Sequence, residues 1–186
     1  MDSFAADGVV EEFIAPPPEP GVTITGAVAS YNPNNPTTIS LMQGEVTKYQ
    51  KIIRATSGRG QTESTFSFED VAPGTYSMVI SKPGHTAYTL DGIIASDENI
   101  DLTQDERSEV QLMALRCGDI DGDGMINDND LTIMWSLANY NRKTENAANI
   151  LCDLNGDNMI NDVDLTVLWK VDHYNRGEKY LLWCLG

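Results

Sequence analysis

The chain has 186 residues, 41% of them hydrophobic, enough for one medium domain or two small ones. A net charge of −16 and a pI near 4.2 argue against nucleic acid or an anionic membrane surface as partner. No apolar run approaches the roughly 20 residues of a membrane-spanning helix.

Residues 1–20 close on "APPPEP", a proline-rich stretch that favours an extended, semi-rigid linker. The opening "MDSFAADGVV" lacks the basic and apolar regions of a signal peptide. The chain therefore reads as a segment of a longer protein whose export signal would lie upstream. Alternating, β-branched runs then predict strands over 22–30, 37–43, 48–56, 64–70, 75–82, 86–90 and 109–115. Turn signals such as "NPNNP", "SGRG", "APG" and "KPGH" separate them. Short strands at this spacing predict an all-β sandwich over 21–116. The phrase "FSFEDVAPGTYSMVISKPGHTAYT" resembles the carboxypeptidase regulatory-like or prealbumin-like sandwich family, which implies a structural module more than any one activity. This region holds one histidine, His85, beside a Pro-Gly turn, and no cysteine. No Ser-His-acid or paired-carboxylate grouping stands out, so His85 is expected at the surface and the region is read as non-catalytic.

From residue 117 the text changes. "DIDGDGMINDND" (119–130) returns 34 residues later as "DLNGDNMINDVD" (153–164). A calcium loop needs oxygen ligands at positions 1, 3, 5, 7, 9 and 12, with a residue at position 6 that tolerates a left-handed turn. Asp119, Asp121, Asp123, the Met125 carbonyl, Asn127 and Asp130 fill these positions in the first loop. Asp153, Asn155, Asp157, the Met159 carbonyl, Asn161 and Asp164 fill them in the second. Two Ca²⁺ ions would cancel much of the repulsion among the acids. Gly124 stands at position 6 of the first loop, and Asn158 replaces it in the second. Asp, a shorter arm than the usual bidentate Glu, stands at position 12 of both. Ile126 and Ile160 at position 8 are expected to reach the core.

After each loop, "LTIMWSLANYNR" answers "LTVLWKVDHYNR". Leu131, Met134 and Ala138, like Leu165 and Leu168, recur at helical spacing and predict one core-facing helix per repeat. No helix is expected before the first loop. The duplicated motif D-x-[DN]-G-D-x-x-I-N-x-x-D-L-T resembles a dockerin, the calcium loop-helix module that docks bacterial plant-cell-wall-degrading proteins onto the cohesins of a scaffoldin. The resemblance covers about 117–186. It implies a small all-α module with two EF-hand-like calcium loops, a cohesin partner and a secreted, cellulosome-like setting, with the unbound protein a monomer. A sandwich before a dockerin also resembles the X-module plus dockerin pairing. Together these predict a two-module, multi-domain chain that is not an enzyme.

Carried over residue by residue, the resemblance assigns the cohesin surface to Asp128, Asn129, Thr132, Trp135, Ser136 and Tyr140 in the first repeat. In the second it assigns Asp162, Val163, Thr166, Trp169, Lys170 and Tyr174. The two tryptophans either anchor the partner or extend the core stripe, since each lies four residues after a leucine. The near two-fold repeat implies two cohesin-binding modes, made unequal by Asn129/Val163, Ser136/Lys170 and Asn139/His173. In dockerin-like folds the module ends lie close, which on that resemblance pairs Cys117 with Cys184 in a disulfide and leaves Cys152 a buried thiol; three free thiols are the alternative. Two rival functions stay open. One is a calcium sensor of the calmodulin type. The other is the non-catalytic tail of a carbohydrate-active enzyme whose sandwich binds a ligand.

Overall fold

The computed structural model describes residues 20–183, so the linker expected over 1–20 lies, save Pro20, outside the described residues. The first half builds strands β1 (Val22–Tyr31), β2 (Thr37–Gln43), β3 (Val46–Ile53), β4 (Gln61–Val71), β5 (Gly74–Ser81), β6 (Tyr88–Ala95) and β7 (Ile100–Asp101). A single helical turn, α1 (Ser108–Gln111), and the short β8 (Met113–Ala114) follow. Alternation along β1 sends Val22, Ile24 and Val28 inward, as a period of two requires. They meet Ile39, Leu41, Met78, Ile80, Leu90 and Ile93 from the facing sheet, forming one continuous apolar core.

One sheet runs β4–β1–β7, with β8 also paired to β1. The other runs β13–β6–β5–β2–β3, where β13 (Lys179–Leu182) comes from the far end of the described chain. It lies parallel to β6, Lys179 opposite Tyr88 and Leu182 opposite Asp91. The strand expected over 109–115 is not one strand. Asp105 accepts hydrogen bonds from both the Arg107 amide and its guanidinium, each at 2.9 Å, and the chain turns into α1. Val110 is then buried from the helical turn and Met113 from β8, so two different local structures satisfy one apolar alternation.

The second half is not the all-α module expected. It contains β9 (Met125–Ile126), α2 (Asp128–Met134), β10 (Arg142–Lys143), β11 (Met159–Ile160), α3 (Asp162–Leu168), β12 (Arg176–Gly177) and β13. Each principal helix has only seven residues. The Asn139 side-chain amide donates to the Ile133 carbonyl at 2.8 Å, and His173 Nδ1 to the Val167 carbonyl at 2.8 Å, satisfying last-turn acceptors from outside the helix. Asn141 (φ 55) and Asn175 (φ 54) then reverse the chain in the left-handed region. The strands that follow cross over: β10 pairs with β11 of the other repeat, and β12 with β9. Met134, Leu165 and Leu168 reach the core as expected, with Ile126 and Ile160 fully buried, while Ala138 lies beyond the helix end and is exposed.

The halves meet tightly. His85 forms a β-bridge with Cys117, and the Gly118 amide donates to the Gly84 carbonyl at 2.9 Å. His85 is buried, not at the surface. Its Nε2 accepts from the Tyr31 amide at 3.2 Å while Nδ1 faces the Pro83 carbonyl at 3.0 Å, and burial pushes the imidazole down to about 3. Cys117 and Cys152 are free, buried thiols. Cys184 lies outside the described residues, and Trp183 before it donates to the Asp91 carbonyl. The expected Cys117–Cys184 bridge therefore falls on a residue outside the described ones.

Candidate metal centre and docking face

The two acidic loops fold alike because the same side chains tie the same amides. In the first, Asp119 Oδ1 accepts from the Gly122 amide (2.9 Å) and Oδ2 from the Gly124 amide (3.2 Å). In the second, Asp153 accepts from Gly156 (2.8 Å) and Asn158 (2.9 Å). Position 6 is left-handed in both, Gly124 at φ 86 and Asn158 at φ 69, so Asn does here what glycine does elsewhere.

The short arm at position 12 is drawn in by the following helix. Asn127 and Asn161 are N-caps, and Asp130 and Asp164 complete capping boxes as the third residues of α2 and α3. Asp130 Oδ2 accepts from the Asn127 amide (2.8 Å), and Oδ1 from Ile120 (2.7 Å) and Asp121 (3.2 Å). Asp164 repeats this with Asn161 (2.9 Å), Leu154 (2.8 Å) and Asn155 (3.1 Å). Each carboxylate thereby closes its loop end to end.

The residues suit a hard cation. Asp119, Asp121 and Asp123 each offer an oxygen, all within 4.8 Å of one another. The remaining donors are carboxamide, carbonyl and carboxylate oxygens, the set calcium takes. Burial pushes the carboxyls of Asp119 and Asp164 up to about 6 and raises Asp130 and Asp153. These are anions in want of a counter-charge. Met125 and Met159, at position 7, open the short strands β9 and β11.

The residues assigned to a partner fall into two groups. Tyr140 donates its hydroxyl to Asp162, and Tyr174 to Asp128, across the approximate two-fold, and these bonds raise both phenols. Lys170 lies over the Tyr31 ring at 4.8 Å, and Thr132 and Thr166 bond their own helix backbone at 2.8 and 2.6 Å. Those groups make contacts within the protein, Lys170 against the sandwich and the others within the second half. Asn129 and Val163 are exposed, as are Trp135 (50%) and Trp169 (48%), whose rings meet edge to face at 5.7 Å. Neither tryptophan extends the core; they form one surface pair spanning both repeats. Leu137 and Val171, 91% and 88% exposed, stand just beyond them and escape sequence reasoning. The signal was present: an apolar residue two after each tryptophan, repeated at the same interval of 34.

Residues 117–170 match the family model described as the dockerin type I domain. Among curated proteins no match is found. Two solved structures share the fold: an N-terminal and a C-terminal interface mutant of a type II cohesin–X-dockerin complex from Acetivibrio cellulolyticus. The TM-scores are 0.60 and 0.58, with 21% identity in each case, covering 84% of this chain and 97% of the other.

Proposed function

We propose that the chain is a calcium-dependent docking segment that attaches its parent protein to a cohesin of a scaffoldin in an extracellular, cellulosome-like assembly. Residues 117–186 are the docking unit, and the sandwich over 21–116 is its X-module-like, non-catalytic support. One observation carries the reading: an exposed, two-fold apolar face of Trp135, Trp169, Leu137 and Val171 beside two loops whose donors suit Ca²⁺. The dockerin model, over 117–170, covers both loops and all of this face but Val171. Each loop would hold one ion, Asp119 and Asp130 in the first and Asp153 and Asp164 in the second among its ligands, and the ions would supply the positive charge that these buried carboxylates lack. The helices are then fixed by their capping boxes and present the tryptophan pair to the partner. Aromatic anchors of this kind, ringed by polar groups, carry most of the affinity of an interface.

The calmodulin-type reading is weaker. Such a sensor opens a pair of helices around each loop. Here the first loop is entered through the bridge to His85 and the second through a 3-10 turn, Ile150–Cys152. The tail of a carbohydrate-active enzyme remains compatible, since it concerns what precedes these residues.

The test is a panel of type I and type II cohesins titrated against the full chain in calcium and in EDTA. Binding to at least one cohesin in calcium, abolished by EDTA, is expected; no binding across both types removes the proposal.

A further inference from the structure

We infer that the sandwich makes the second loop the tighter of the two calcium sites, with Asn32 and Asn34 as its positioning residues. The inference rests on the calcium reading above and concerns how the sandwich grades two sites of nearly equal sequence.

The turn after β1 reaches directly into the second loop. Asn32 Nδ2 donates to the Asp153 carbonyl at 2.6 Å, Asn34 Nδ2 to the Gly156 carbonyl at 2.8 Å, and the Gly60 amide to the Asn155 carbonyl at 2.5 Å. Three carbonyls among the first four loop positions are thus held from outside. The turn is itself pinned: Asn32 Oδ1 accepts from the Asn34 amide at 3.2 Å, and the Asn32 amide donates to the Gly60 carbonyl at 3.1 Å. Burial follows the bonding, with Asp153, Leu154, Asn155 and Gly156 all buried.

Among the described residues, none braces the first loop at the equivalent places. Asp121, Gly122 and Asp123 are exposed, and it faces the sandwich across an open cleft of about 370 Å³ lined by Lys82, His85 and Glu178, whereas the cleft of about 300 Å³ at the second loop is lined by Asn32 and Asn34 themselves. Position 4 states the difference most sharply. A Cβ on Gly156 would lie 2.7 Å from Asn32 Oδ1 and 2.8 Å from Asn34 Nδ2, whereas one on Gly122 meets nothing within 4 Å.

A loop already held in shape loses less conformational freedom when its ion arrives, and the saved ordering cost appears as affinity. Linkage makes the effect reciprocal: an ion in the second loop firms the contact with the sandwich, while an ion in the first does so only indirectly.

The experiment is a calcium titration of the chelator-treated full chain, followed by ¹H–¹⁵N NMR at Gly122 and Gly124 for one loop and Gly156 and Asn158 for the other. Second-loop amides are expected to finish shifting at free calcium about tenfold lower than first-loop amides. Asn34→Ser, and the double change Asn32→Ala with Asn34→Ala, should close that gap while leaving the first-loop midpoint in place, with β6 amides reporting that the sandwich stays folded. If the double variant unfolds, the wild-type order and Asn34→Ser decide. Simultaneous titration, a first loop that fills earlier, or a gap unchanged in the variants overturns the inference and leaves the calcium reading standing. Amides of both loops indifferent to calcium would remove the calcium reading and the inference with it.

Discussion

The two repeats of the second half are bonded alike inside and unlike outside. Within each, the same aspartates tie the same amides, the same asparagine caps the same seven-residue helix, and the same tyrosine reaches across to the other repeat. Outside, the sandwich meets the first at its entry, through Gly84 and His85, but reaches into the second at its loop through Asn32 and Asn34 and at its helix end through Lys170 and His173 around the Tyr31 ring. The counterparts Ser136 and Asn139 carry neither a charge nor a ring to offer. Duplication thus sets the symmetry of the exposed tryptophan face, and the neighbouring module breaks the symmetry of the acidic loops.

The largest way to test this comparison is to withdraw the cation. In EDTA, circular dichroism should lose most of the helical signal while the strand signal of the sandwich stays. Amide exchange should rise more over 120–134 than over 154–168, because the second loop keeps the brace of Asn32 and Asn34. Helix content indifferent to chelator would sink the metal assignment.

Alanine at the two equivalent glycines comes next. Both Gly156 (φ +80) and Gly122 (φ +77) sit in the left-handed region, so either change costs roughly 1–2 kcal/mol in backbone strain. Gly156→Ala must also push back Asn32 and Asn34, adding about 1–3 kcal/mol of overpacking. Urea melts in calcium should rank Gly156→Ala clearly below Gly122→Ala; equal midpoints would mean the brace is slack.

The tryptophans probe the symmetric side. Trp135→Ala and Trp169→Ala should each weaken cohesin binding by about 2 kcal/mol, the scale of an interface anchor. Because each also loses its edge-to-face partner, stability should fall by no more than about 0.5–1.5 kcal/mol. Similar losses of affinity would confirm a face shared by both repeats. A loss confined to one would assign docking to that repeat alone.

The smallest effect is that of pH. Asp119 belongs to the first loop and Asp164 to the second, and both carboxyls are pushed up to about 6 without a cation. Their folded values lie above the unfolded one, so in EDTA they favour the folded state most below about pH 4, and this contribution fades as pH rises through 6. Calcium reverses the preference, since the ion needs the charged form. Its affinity should therefore fall several-fold as pH drops from 7 through 6 toward 5, at both sites. Calorimetric titration at those pH values checks the direction.

Both acidic loops were legible in the residues alone. Ligand type and spacing within twelve residues define a calcium loop, and the interval of 34 exposed its copy. The sandwich strands were readable for a similar reason, since alternation is a local property of a half-buried strand. Tertiary structure decided the rest. The helices stop after seven residues because side chains from the following turn satisfy their last carbonyls, and the strands beyond pair with the opposite repeat, so an all-α module became a mixed one. Whether each tryptophan lay in the core or on the surface depended on where that helix ended. Asn32 meets Asp153 across 121 residues, and β13 joins β6 across 91, from Lys179 to Tyr88. Contacts at such separations are set by how two folded units pack, and packing leaves no periodic mark in the sequence of either one.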